Sequence, residues 1–146
     1  MSFHKSGYYA VNFGLDSDNV LRIGGWSASA NRWQLDMDGN VTVAGTVTAN
    51  SDIKLKKNIS TLTNSLNKVL QIRGVEFDRI DIEGEHNIGF IAQEIEKIIP
   101  ELVRESQGTK SVAYGNITAL LVEAIKEQQI QINNLKDMII NNKESI

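Results

Sequence analysis

A chain of 146 residues with 41% apolar residues has room for one modest domain, or for a smaller one beside an extended segment. It carries no cysteine and a net charge of -3, which excludes disulfides and thiolate metal sites and leaves no clustered Lys and Arg to neutralise a phosphate backbone. No apolar run approaches the roughly 20 residues that cross a bilayer, and the start, His4-Lys5 and then Gly7-Tyr8-Tyr9, has no signal-peptide core. The expectation is a soluble, unsecreted chain with no nucleic-acid partner and no membrane insertion.

From Met1 to about Asn50 the sequence is rich in Gly, Ser, Asn, Thr and Val, lacks a helical period and supplies turn residues every few positions. This half is predicted to be β. Arg32 to Met37 and Val41 to Val43 alternate around Asp38-Gly39, a dipeptide that favours a tight hairpin turn, and Gly45 interrupts a further run from Val41 to Thr48. Strands this short cannot close a core in about fifty residues. They are expected to pair or wrap with identical chains or with a region upstream.

After Ser51 the pattern changes to longer apolar periods with charged faces, which marks a second domain. Leu62, Leu66, Val69 and Leu70 stand at helical spacing behind the capping candidates Ser60 and Thr61, with Gly74 placed to end the helix. Val75 to Ile80 and Ile88 to Ile91 read as a hairpin around Gly84. Ala92 to Ile99 forms a short amphipathic helix stopped by Pro100, the only proline. Leu102-Val103 and Ser111 to Tyr114 read as strands around Gln107-Gly108. From about Asn116 to Ile140 a long helix places Ile125, Ile132 and Ile139 at heptad position a, with Leu121, Gln128 and Leu135 at d. Such a seam points to self-association without fixing the number of chains. The competing expectation is packing of the helix along its own domain.

Few residues could carry chemistry. Ser51 precedes Lys56 by five positions in Ser51-Asp52-Ile53-Lys54-Leu55-Lys56-Lys57, and a lysine can activate a serine if burial or neighbouring positive charge, here from Lys54 and Lys57, favours the free amine. By residue type alone, a capping Ser-Asp followed by lysines is a solvated surface. His4 and His86 have no second ligand at metal spacing. Asp16 to Asn19 and Asp36 to Asn40 do not complete a calcium loop, Gly24-Gly25 belongs to no phosphate motif, and Glu94 and Glu96 read as the wet face of their helix. No metal and no cofactor is expected.

Three motifs in order change these odds: Ser51-Asp52-x-x-Leu55-Lys56-x-Asn58-Ile59, Gly89-Phe90-Ile91-Ala92-Gln93-Glu94-Ile95 leading to Pro100-Glu101-Leu102-Val103, and Tyr114 leading to Ala119 through Lys126. Together, over Ser51 to about Lys136, they resemble the C-terminal intramolecular chaperone, or auto-processing peptidase, domain of phage endosialidases, tail spikes and tail fibres. The resemblance implies an α+β fold class. Residues 1–51 would be the β-structured end of a trimeric fibre or spike, and residues 52–146 a small α+β chaperone domain ending in a coiled-coil trimerisation helix.

It further implies a homotrimer that folds its own upstream region and is then released by cutting Ser51–Asp52, with Ser51 and Lys56 as a Ser–Lys dyad. The mature part would sit in the virion tail after synthesis in the bacterial host cytoplasm. Two alternatives stay open. One is a trimerisation module that does not cleave. The other is a receptor-binding tip whose Tyr8, Tyr9, Trp26 and Trp33 meet a host surface glycan.

Overall fold

The computed structural model describes residues 1–27 and 29–144. The chain is mixed α and β, with antiparallel sheets and a long C-terminal helix, and divides into two compact units, Met1–Lys57 and Asn58–Ile146.

The first unit is a five-stranded antiparallel meander of β1 (Ser2–Lys5), β2 (Tyr9–Leu15), β3 (Leu21–Gly24), β4 (Trp33–Leu35) and β5 (Val41–Val43), in sheet order β1-β2-β3-β4-β5. The expected hairpin is β4–β5, with Gly39 at φ 84° in its turn. Its first strand stops at Leu35 because the Asp36 carboxylate folds over the turn, accepting from the Asp38 and Asn40 backbone N–H groups.

Register gives this sheet two unlike faces, because directly paired residues project to the same side. One row runs Phe13, Ile23, Trp33, Val43 and the next Leu15, Leu21, Leu35, Val41, with Val11 and Phe3 extending the same side. The opposite side carries Gly14, Arg22, Gln34 and Thr42. There Arg22 donates to Asp18 (2.6 Å), Asp16 (3.0 Å) and Gln34 (3.0 Å). No residue of the apolar face is buried, and Phe3, Leu15 and Val41 are 52%, 62% and 55% exposed. A sheet whose apolar face holds no buried residue has not completed its core.

The second unit holds α1 (Ser65–Gln71), hairpin β6–β7 (Val75–Asp78, His86–Gly89), α2 (Ala92–Ile98), hairpin β8–β9 (Val103–Ser106, Thr109–Val112) and α3 (Ile117–Glu144). Gln107 and Gly108, both at positive φ (50° and 77°), form the two-residue turn of β8–β9. The core consists of Ile95, Ile99, Leu102, Val103, Ile117 and Leu120, with Val69, Phe90 and Val112 packed against it. Ile95 is 1% exposed. Ile95→Ala is expected to cost about 2–5 kcal/mol, a large share of the stability of so small a unit; urea denaturation of the variant beside the wild type checks it.

The first helix differs from its sequence pattern. It begins at Ser65, with Asn64 at φ 57° before it, so Ser60, Thr61 and Leu62 lie outside it, and it closes at Ile72, two residues ahead of Gly74. Its N-terminal donors are satisfied from far away: the Glu127 carboxylate on α3 accepts from the Ser65 N–H (2.8 Å) and the Leu66 N–H (2.9 Å). The bonds from Leu66 and then Ser65 hold Glu127 below the usual glutamate range. A carboxyl whose folded pKa is depressed adds stability that is fully present above its unfolded value and is lost as pH falls through the folded one. Glu127→Gln is therefore expected to melt earlier than wild type at neutral pH, with the difference shrinking as pH drops below 4.5, the ordinary glutamate value; thermal melts from pH 7 to acid read both.

Candidate functional site

Ser51 and Lys56 are brought together by one local device. Asp52 caps a 3-10 turn over Ile53–Leu55: its Oδ1 accepts from the Lys54 N–H (3.0 Å), and its carbonyl accepts from the Leu55 N–H (3.1 Å). The chain leaves the turn extended at Lys56 (φ -126°, ψ 150°), and the lysine side chain folds back. Lys56 Nζ donates to Ser51 Oγ at 2.6 Å and to the Ser51 carbonyl oxygen at 2.9 Å.

The lysine therefore touches two atoms of different character. One is a hydroxyl that could be deprotonated. The other is the carbonyl oxygen of the Ser51–Asp52 peptide, which a positive charge polarises. Lys56 and Ser51 are both exposed. Lys54 is an ion partner of Asp52 (3.2 Å). It is thus engaged with a carboxylate rather than standing as a free positive neighbour of Lys56, the part expected of it.

The heptad residues lie on a different face of α3 from the one that packs. Ile117, Leu120 and Ala124 turn inward and are buried, and Glu127 continues their line onto α1. Leu121, Ile125, Gln128, Ile132, Leu135 and Ile139 are all exposed, Ile125 by 63%. Over its first three turns the helix thus carries two distinct apolar stripes. Its inner stripe belongs to its own unit, and an outer seam runs on for about 27 Å beyond Leu121. The expected packing of the helix along its own domain is met on the inner stripe, while the heptad residues stand exposed on another face.

The remaining candidates have structural partners. Glu94 pairs with Arg73 (2.6 Å), and Glu96 with Lys110. His86 Nδ1 lies 2.7 Å from Asp78, and His4 stacks on Trp26. Trp33 belongs to the apolar face of the sheet, whereas Tyr8, Tyr9 and Trp26 are exposed. Two features had no sequence signal as isolated residues, the Glu127 cap and the seat of Tyr114. The Tyr114 hydroxyl accepts from the Phe90 N–H (3.1 Å), and a Cβ on Gly89 would lie 2.5 Å from that oxygen.

Residues 51–104 match the family described as chaperone of endosialidase. The match begins at the serine that Lys56 touches. Long tail fiber protein Gp37 of Enterobacteria phage K3 is 33% identical over 62% of the chain and 8% of that protein. The Salmonella phage S16 protein of the same name is 28% identical over 94% of the chain and 20% of that protein. For that of Enterobacteria phage M1 the figures are 33%, 59% and 38%. The chain spans less than half the length of each of these curated relatives. The chain is thus homologous to phage long tail fiber proteins, and its residues 51–104 match the chaperone-of-endosialidase family.

Proposed function

We propose that residues 52–146 are an intramolecular chaperone that trimerises a phage tail fibre, guides folding of the β-structured chain before it, and is released by autoproteolysis at Ser51–Asp52. The observation that carries this reading is the double contact of Lys56 Nζ, on Ser51 Oγ and on the carbonyl of the bond to be cut. Two uncovered apolar surfaces support the assembly half. They are the sheet face that exposes Phe3, Leu15 and Val41, and the outer seam of α3. Interwoven β-structure has high contact order and exposed edges, so holding three chains together first favours correct pairing.

The reaction is net hydrolysis. The C–N bond between Ser51 and Asp52 breaks, the oxygen of water ends on the Ser51 carbonyl carbon, and the nitrogen leaves as the α-amino group of Asp52. Attack by Ser51 on its own carbonyl would close a four-membered ring, which favours, over a route within the chain, a nucleophile supplied by the Ser51 hydroxyl of a second copy, with water then hydrolysing the resulting ester. The attacking copy's Lys56, which touches its own Ser51 Oγ, takes the hydroxyl proton and returns it to the leaving nitrogen, while the Lys56 of the chain being cut holds the scissile carbonyl oxygen. Because the attacking hydroxyl belongs to a second copy, cutting is tied to trimer formation.

Ser51 stays with the fibre and Lys56 leaves with the chaperone, so a cut separates the dyad and the enzyme works once. The mature fibre is then kept folded by a kinetic barrier. The proposed place of the mature part is the virion tail. Intact-mass spectrometry of freshly produced protein tests the reading. Fragments 1–51 and 52–146 are expected, and a single uncut chain in an assembled sample would leave only a non-cleaving assembly module.

The exposed Tyr8 and Trp26, at 79% and 68%, favour a second role for the fibre part, contact with a host surface glycan. Loss of glycan-array binding in a Tyr8→Ala, Trp26→Ala variant checks it.

A further inference from the structure

We infer that Asp52, besides following the cut, is a positioning residue whose side chain folds Lys56 onto Ser51. This deepens the proposed cleavage and rests on that reading. Ser51 and Lys56 are five residues apart, and an extended chain would carry them roughly 16 Å away from each other. The 3-10 turn over Ile53–Leu55 removes that separation, and it is fixed at its start by the Asp52 carboxylate on the Lys54 N–H (3.0 Å). The next two backbone bonds, Leu55 N–H to Asp52 O (3.1 Å) and Lys56 N–H to Ile53 O (3.0 Å), follow from the turn so capped.

The turn is short, exposed and without a buried residue, so it has no core to hold it and depends on its cap. The same carboxylate holds Lys54 at 3.2 Å. That pair is 78% and 47% exposed at its two side chains and contributes little on its own. The cap, an acceptor oxygen, is therefore the working feature, and the negative charge is not.

Two readouts test this on the whole chain. In cleavage time courses by intact mass, Asp52→Ala is expected to cut about tenfold more slowly than wild type, the scale of a lost cap. Asp52→Asn and Asp52→Ser, which keep an acceptor, are expected to cut within about threefold of wild type, and Lys54→Ala likewise. In the uncleavable Ser51→Ala background, adding Asp52→Ala is expected to raise the rate at which Lys56 is acetylated by acetic anhydride, read by peptide mass, while Asp52→Asn leaves it unchanged. Asp52→Ala cutting at the wild-type rate, Asp52→Asn as slow as Asp52→Ala, or Lys56 labelling that does not respond to Asp52→Ala would each overturn the proposal. A wild type that never cuts would contradict the cleavage reading instead, and the labelling would still decide the role of Asp52.

Discussion

The Ser51→Ala chain is expected to remain a single uncut polypeptide under conditions in which the wild type yields two fragments, and Lys56→Ala is expected to behave the same way. Both members of a nucleophile–base pair act as a unit, so removing either one costs about as much as removing both. A loss of about 10³-fold or more is expected, corresponding to about 4 kcal/mol of transition-state stabilisation. Lys56→Arg separates the two contacts of the lysine. A guanidinium can still hold the Ser51 carbonyl oxygen but cannot take a proton, so this variant is also expected to stay uncut. Cleavage by Lys56→Arg at the wild-type rate would mean that the lysine only polarises the carbonyl.

Placing Asp at both Ile125 and Ile132 is expected to convert the assembled protein to single chains while the second unit stays folded. In one chain those side chains are 63% and 39% exposed, so the substitution meets solvent there. In a bundle joined along the a and d positions they face each other near the axis. Each added carboxylate then costs several kcal/mol or forces protonation. Ile130→Asp is the control. It is 60% exposed and lies on the side of the helix away from the seam, so it is expected to leave assembly intact. Under the proposed tie between cutting and assembly, the double variant is also expected to stay uncut. Efficient cutting by a monomeric double variant would disconnect the two halves of the mechanism.

How far the sequence was legible depends on the range over which each feature is determined. The β4–β5 hairpin was readable because Asp38-Gly39 and the flanking alternation are local, and α2 because Pro100 stops it. The start of α1 was not readable. Ser60 and Thr61 are good capping types before an apolar run, but the donors of this helix are met by Glu127, which lies about sixty residues away in sequence. The apolar face of the first sheet was hidden for a similar reason. Phe13, Ile23, Trp33 and Val43 form one row only once the register of four strands is known.

At the candidate site the pairing of Ser51 with Lys56 could be suspected from residue type and from resemblance. Their contact depends on the 3-10 turn, and a five-residue spacing does not announce one. The same turn gives Lys54 to Asp52. The heptad seam was legible as a pattern, but that the packing face of α3 is a different stripe followed only from the placement of α1.

The most direct test of the central claim is the solution mass of the Ser51→Ala chain by light scattering, since that variant keeps both parts joined. The account predicts particles of three chains, each of 16.2 kDa. A folded particle of one chain at working concentration would contradict it.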